Sequence, residues 1–215
     1  MSPRFAAVPT ASSQEASKGI FTSVCATGRL LDRVCALRYR AYLADELIRR
    51  NDVGRYFDAY DQQPNCQSCV TFYAGECVGA IRVCSHQPGS ADDVPALAVF
   101  EREIRESVGL EQRFVELNSL VVAPEFRDRG GLATRLALLS RCANRVADSG
   151  VDSLIVVVPV LASEYLHEMG FKPASVAKRQ PGLSFDAVLL SANDVSRVSR
   201  LLTDALHGAG VQSLT

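Results

Sequence analysis

Residues 114–139, FVELNSLVVAPEFRDRGGLATRLALL, decide how the rest of the chain is read. An apolar run carries one carboxylate, Glu116, at its centre and stops at Ala123-Pro124. An arginine- and glycine-rich segment follows and opens directly into a stretch with helical apolar spacing. This is a strand, a loop and a helix in series. Such a loop offers backbone N–H groups and a helix N-terminal dipole to an anion, with Arg127 and Arg129 close by. Glycine at 130 and 131 lets a phosphate approach the backbone without meeting a Cβ. Units of this kind occur in many α/β proteins, so the flanking sequence has to decide the use made of it.

The 215 residues suffice for one full core. Hydrophobic residues make up 47% and charged residues 22%, values ordinary for a globular domain. A net charge of -1 gives no global drive toward nucleic acid or an acidic membrane, so any polyanion binding must be local. No run approaches the roughly 18 apolar residues of a membrane span. Residues 1–18 are small and polar and lack a secretory apolar region; a flexible tail and a cytoplasmic location are expected. Seven scattered cysteines do not form a disulfide framework. Cys66-Gln67-Ser68-Cys69 precedes a strand, whereas a redox CxxC opens a helix. Adding Cys84 and His86 would supply four metal ligands, at a spacing that fits no familiar zinc pattern, so no metal is expected.

Period and punctuation place the other elements. A short strand over 20–26, at a sheet edge, precedes an amphipathic helix over about 28–50 and a polar loop to Pro64. Residues 69–73 and 77–83 flank Ala74-Gly75-Glu76 as a hairpin, and 99–108 form a charged helix. After the central strand, a helix spans 132–148, and 154–158 is a β-branched strand buried on both faces. A short helix over 161–169 leads to strands at 171–176 and 184–190. Asn193 or Asp194 caps a last helix. A mixed sheet with helices on both faces follows. The expected organisation is a tail (1–18), one α/β domain (19–192) and a C-terminal amphipathic helix and tail (193–215).

Several of these segments carry a resemblance. Arg127-Asp128-Arg129-Gly130 is similar to the first half of the R/Q-x-x-G-x-G/A motif of the GNAT superfamily of N-acyltransferases, with Leu132 at a position usually small. Read from Gly131, the match is Gly131-Leu132-Ala133 with Asp128 in the Arg/Gln position. Tyr165 with Met169-Gly170-Phe171 looks like that family's late tyrosine–GF element, the tyrosine standing one residue early. In the N-terminal half, Arg38, Asp58, Asp61, Arg82 and Glu116 fall on a pattern similar to the acyl-homoserine lactone synthases and the related N-acyl amino acid synthases. Tyr56 replaces an acidic residue of that pattern, and Ser119 replaces the arginine three residues after the glutamate. Those departures point away from a synthase fed by S-adenosylmethionine and toward an N-acyl amino acid synthase of GNAT-like fold.

The resemblance implies aminolysis of a thioester, with acyl carrier protein or acyl-coenzyme A as co-substrate, no permanently bound cofactor, and an amino acid as acceptor. Desolvation at mid-strand should raise the Glu116 pKa and suit it to act as base, unless the side chain points to solvent or pairs with an arginine such as Arg82. Asn118 shares its strand face and can orient the acceptor or a water. The resemblance places the oxyanion near the backbone N–H groups of Leu120, Val121 and Val122, and Ser119 or Tyr165 could protonate the leaving thiolate. The thioester's phosphate arm would lie on Arg127, Arg129, Gly130, Gly131, Leu132 and Ala133. Arg38 is either a solvated helix residue or a clamp on the acceptor carboxylate. Asp58 and Asp61 either hold the acceptor ammonium or cap a turn, and Arg82 is expected to brace them. Arg135, Arg141 and Arg145 extend a basic helix face that could meet an acidic carrier protein. Two other readings compete: an acetyl-coenzyme A N-acetyltransferase, and a non-catalytic acyl-thioester-binding module.

Overall fold

Adjacent residues of a strand point to opposite faces of its sheet, so Ser68 and Cys69 report which helix lies on which side. Ser68 accepts a hydrogen bond from Arg38 in the first helix at 2.7 Å, whereas Cys69 faces Cys142 in the long helix after residue 126. The computed structural model describes residues 20–214; the tail expected over 1–18 lies outside the described residues. In chain order the elements are β1 (Ile20–Cys25), α1 (Arg29–Ala44), β2 (Cys66–Tyr73), β3 (Glu76–His86), α2 (Leu97–Ser107), β4 (Phe114–Val122) and α3 (Arg127–Asp148). β5 (Ser153–Pro159), α4 (Glu164–Glu168), β6 (Lys172–Pro173), β7 (Lys178–Arg179), β8 (Asp186–Ala192), α5 (Val195–Gly208) and β9 (Gln212–Leu214) complete the chain. The sheet runs β6-β8-β5-β4-β3-β2-β1-β9, with β7 also on β8. Its neighbours are antiparallel except β4–β5 and β1–β9. This is the mixed sheet with two helical layers that the sequence pattern requires.

Phe100 and Ile104 of α2 pack on Ile155 and Leu189, on the α1 face of the sheet. The next residues of those strands, Leu154 and Leu190, join the larger core with Leu139 of α3 and Val198 and Leu202 of α5. Gly79 lets α3 come close: a Cβ there would lie 2.4 Å from the Thr134 methyl.

Several expectations change. Cys66–Cys69 begins β2 rather than preceding it, and only Lys172–Pro173 of 171–176 pairs as a strand. The helix expected over 161–169 is a 3-10 turn followed by α4, and three further changes bear on the site. The first helix ends at Ala44 rather than near residue 50. Glu46 takes a left-handed conformation (φ 56°), its N–H bonds the Leu43 carbonyl, and the Leu47 N–H bonds the Tyr42 carbonyl. This helix stop turns Leu47 back into the core, so its apolar character fits the helical period without its being helical. The segment before Leu132 is not an open loop: Pro124 starts a short 3-10 turn and α3 begins at Arg127, with its only break at Gly130. β1 is not an edge, because the chain returns after α5 and β9 pairs alongside it, Ile20 opposite Gln212.

Candidate active site

β4 positions the central groups. Its pairing with β5 runs from Phe114–Ser153 to Leu117–Val156 and stops there, while β5 continues along β8 to Pro159. Beyond Leu117 the two parallel strands therefore part. On the other side, β4 stays on β3 but bulges: Arg82 faces Asn118, Ala80 faces Val121, and Ser119 lies at φ 52°. The Ala123 N–H bonds Val78 on the β3 side. By strand alternation the Val122 N–H, and that of Leu120 before it, turn toward the gap.

Glu116 stands at the head of this gap on the α1/α2 face and is 1% exposed. Its Oε2 accepts from the Ala96 N–H at 2.8 Å and its Oε1 from the Asn118 amide at 2.9 Å. Asn118 Oδ1 accepts from Arg82 Nε at 2.9 Å, and Arg82 forks onto both Asp58 oxygens at 2.6 and 3.0 Å. Asp61 lies 3.3 Å from Arg82 and pairs with Arg38 at 2.5 Å. The Asp58 and Asp61 carboxylates also accept from the Tyr60 and Asp58 N–H groups, fixing the turn at 59–62. The pair therefore caps a turn, one of its two readings, and the cations it holds are the chain's own arginines.

Burial pushes Glu116 up to about 7, against the Ala96 and Asn118 hydrogen bonds and the Arg82 charge, which pull it down. Charge balance acts in the same direction. With Glu116 protonated, the two arginines of the network face two aspartates; ionising it adds a third anion to a largely buried network. Both groups touching the carboxyl are N–H donors, which leaves lone pairs able to take a proton.

The other sequence candidates spread over two regions. Arg38 is fully buried, so it faces neither water nor an open acceptor site; two of its nitrogens serve Asp61 and Ser68. Arg82 braces the aspartates as expected. Among the four acceptor-side candidates, Asp58 keeps the most accessible side chain, 30% exposed. At the start of α3, Arg127 binds Asp45 at 2.5 and 2.9 Å and thereby ties α3 to the end of α1. Arg129 is exposed and lies over the Phe126 ring. That ring fills the place of a side chain at Gly130, 2.4 Å from where its Cβ would be. Gly131 has nothing nearer than 3.8 Å, Leu132 is 55% exposed and Ala133 is half-buried. Tyr165 on α4 is half-buried, and burial pushes its phenol up, with Arg135 the charge nearby. Ser119 sits at the bulge beside the Tyr42 phenol. Tyr56, the residue that replaces an acid in the resembled pattern, packs edge-on against Tyr42 at 4.9 Å.

Sequence reasoning did not single out Ala96, Tyr60 or Ser68. Ala96 acts through its backbone, which leaves no residue-type signal. Tyr60 and Ser68 were visible only as neighbours of Asp58, Asp61 and the CxxC. That CxxC is split across the sheet, since residues three apart on a strand face opposite sides. Among the described residues no group of three or more His, Cys, Asp or Glu is arranged to hold a metal ion, and no helix is long and apolar enough to cross a membrane.

The family model described as N-acyl amino acid synthase FeeM matches residues 33–193. No curated protein sequence matches the chain. Among solved structures, FeeM, an N-acyl amino acid synthase from uncultured soil microbes, superposes with a TM-score of 0.69 at 12% identity, over 84% of this chain and 94% of that one. The coenzyme A-dependent acyl-homoserine lactone synthase BjaI, solved with SAM and isopentyl-CoA, gives 0.62 at 18% identity, over 91% and 93%. An acyl-CoA N-acyltransferase from Pseudomonas aeruginosa gives 0.54 at 13% identity, over 81% and 99%. At such identities the likeness of the structures is one of fold.

Proposed function

The chain belongs to the FeeM family of N-acyl amino acid synthases and is an N-acyltransferase, and from that premise we propose that it moves a medium- or long-chain acyl group from a thioester of acyl carrier protein or coenzyme A to the amine of an amino acid. The observation that carries the reading is Glu116: a buried, hydrogen-bonded carboxyl that burial pushes up to about 7, one residue before the pairing of β4 with β5 ends.

Aminolysis requires a neutral amine, so a base must take its proton. Glu116 does this from a position fixed by Ala96 and Asn118, directly or through one water. The amine's electron pair attacks the thioester carbonyl, and the Leu120 and Val122 N–H groups facing the gap stabilise the oxyanion. Collapse expels the thiolate, and Tyr165 or Ser119 supplies its proton. Tyr165 suits the role because burial keeps its phenol protonated.

The donor's phosphorylated arm lies along Gly131–Ala133, past the Gly130 break, with Arg129 at the rim. Arg127 contributes by fixing this turn against Asp45 rather than by free charge. Exposed Leu132 and Val160 leave apolar surface near the mouth for an acyl chain entering beside Val157 and Val158. Asp58, the accessible member of its network, receives the acceptor's ammonium.

Expression in a bacterial host followed by mass spectrometry of the culture extract tests the assignment. Accumulation of long-chain N-acyl amino acids dependent on Glu116 is the expected result. Acetyl transfer by the purified protein with no long-chain product would instead assign it as an acetyl-coenzyme A enzyme.

A further inference from the structure

Two pairs of cysteines stand directly opposite each other on neighbouring antiparallel strands: Cys25 with Cys69 on β1–β2, and Cys66 with Cys84 on β2–β3. Directly opposed residues have Cα atoms about 4.5–5.5 Å apart, which is within the span a disulfide bridges. Geometry alone therefore allows either pair to join. Their surroundings are opposite in sign.

The Cys25–Cys69 pair lies on the α3 face beneath Arg145. The guanidinium approaches the Cys25 sulfur at 2.8 Å and the Cys69 sulfur at 4.0 Å, and its other nitrogen is held by Gln67 at 3.3 Å. The Cys142 thiol bonds Cys69, and that bond first, then the Arg145 charge, brings Cys69 down to about 6 although burial opposes it. A cavity of about 800 Å³ reaches Cys69, Cys142 and Arg145. It also touches Cys66 and Asp61, but Cys84 and Glu116 are not among its lining residues, and Cys25 borders Cys69 from outside it. Cys25 is itself partly exposed. The Cys66–Cys84 pair has the reverse setting. Cys84 is fully buried directly across from Glu116, and its bond to Cys66, its burial and the Glu116 charge all hold it as a thiol.

We propose that Cys25 and Cys69 form a reactive dithiol site, separate from the acyl-transfer centre, which a small hydroperoxide oxidises to a cross-strand disulfide. The Cys69 thiolate attacks the peroxide; an S–O bond forms, the O–O bond breaks, and the departing oxygen leaves as water after taking a proton. The Cys25 sulfur then attacks the resulting sulfenic acid. An S–S bond forms, the S–O bond breaks, and a second water carries off the Cys25 proton. Two thiols lose two electrons and one hydrogen peroxide becomes two waters. Arg145 and Cys142 stabilise the attacking thiolate, and a thiol reductant such as dithiothreitol restores the pair.

Treating the full-length protein with one equivalent of hydrogen peroxide, alkylating the free thiols and mapping peptides without reduction tests this. A single Cys25–Cys69 linkage, with Cys66 and Cys84 still alkylated and the bond lost on reduction, is the expected result. Arg145→Gln should move the pH dependence of its rate of formation to higher pH, because the guanidinium that helps hold Cys69 as a thiolate is gone. A first linkage at Cys66–Cys84 or Cys69–Cys142, over-oxidation of Cys69 without a linkage, or an unchanged pH dependence in Arg145→Gln would overturn the proposal. The wild-type peptide map decides it even if a variant fails to fold.

Discussion

Arg82 reaches Glu116 only through Asn118, which accepts from the arginine on one side of its amide and donates to the glutamate on the other, both at 2.9 Å. A direct ion pair would hold the carboxyl ionised and well below the ordinary range. With the amide in between, the arginine orients the carboxyl while burial keeps its proton affinity high. The same residues thus give a rigid base that can still exchange a proton near neutral pH.

Glu116→Gln keeps the size of the side chain while removing the base. Its amide oxygen can accept from Ala96 or from Asn118, and its NH2 then meets the other N–H donor, so its stability is measured alongside. Turnover is expected to fall at least about tenfold with thioester affinity little changed, the signature of a group used in the chemical step. Stopped-flow or steady-state kinetics alongside donor titration measure both. Equal turnover would end the assignment of Glu116 as base.

Stability and activity should respond to pH in opposite directions. Because the folded pKa of Glu116 is raised, the folded protein binds more protons than the unfolded chain between about 4.5 and 7. Stability is therefore lost as pH climbs through that window, by up to about 3 kcal/mol on an order-of-magnitude basis. Activity needs the ionised base and should rise over the same range to a plateau above about 7. Glu116→Gln should flatten the stability term. Denaturant unfolding of both proteins at pH 5 and pH 8 gives the comparison, and an identical pH dependence in the variant would exclude Glu116 as its source.

Asn118→Ala removes a bond that lowers the Glu116 pKa, so the rising limb of the kcat/KM profile should move to higher pH. Activity at pH 7 falls severalfold more than activity at pH 9. A merely structural loss would lower both equally.

The fold was legible where one face of an element is apolar and the period is unbroken. β4 matches its expected limits residue for residue, because Pro124 ends it and six of its nine residues are apolar. Glu116 was legible as a candidate because a lone acid in such a strand has to be either buried or paired. The network around it was not. Arg38 sits on a helix whose neighbours include several solvated arginines, and its burial is set by Asp61 and Ser68, which lie 23 and 30 residues away. The Ala96 amide and the β9 pairing depend on backbone groups and long-range return of the chain, which residue type does not encode.

Arg38→Ala tests that buried pair. It leaves Asp61 facing Arg82 alone and Ser68 without its donor, both of them buried. A loss of about 3–5 kcal/mol is expected, as for removal of one member of a buried ion pair. If chemical denaturation shows a change below about 1 kcal/mol, a solvated-surface value, the network does not hold this layer together.

Gly130 and Gly131 adjoin in sequence and should answer differently to the same kind of substitution. At Gly130 the obstacle is internal: a Cβ would lie 2.4 Å from a carbon of the Phe126 ring edge, so Gly130→Ala must displace that ring and the Arg129 side chain stacked on it. Overpacking of this kind costs about 1–3 kcal/mol, and Phe126→Leu in the same molecule should recover part of it. At Gly131 there is room, with Arg127 Cβ and an Arg135 nitrogen 3.8 Å from a built Cβ. Gly131→Asp should therefore fold with a nearly unchanged melting temperature. It would place a carboxylate where the thioester's phosphates are proposed to lie, and repulsion there should weaken donor binding by at least about tenfold. Isothermal titration with acyl-coenzyme A, paired with thermal melts, separates the two effects. Wild-type donor affinity in Gly131→Asp would remove this turn from the donor site, while full stability in Gly130→Ala would show that the Phe126 ring does not constrain it.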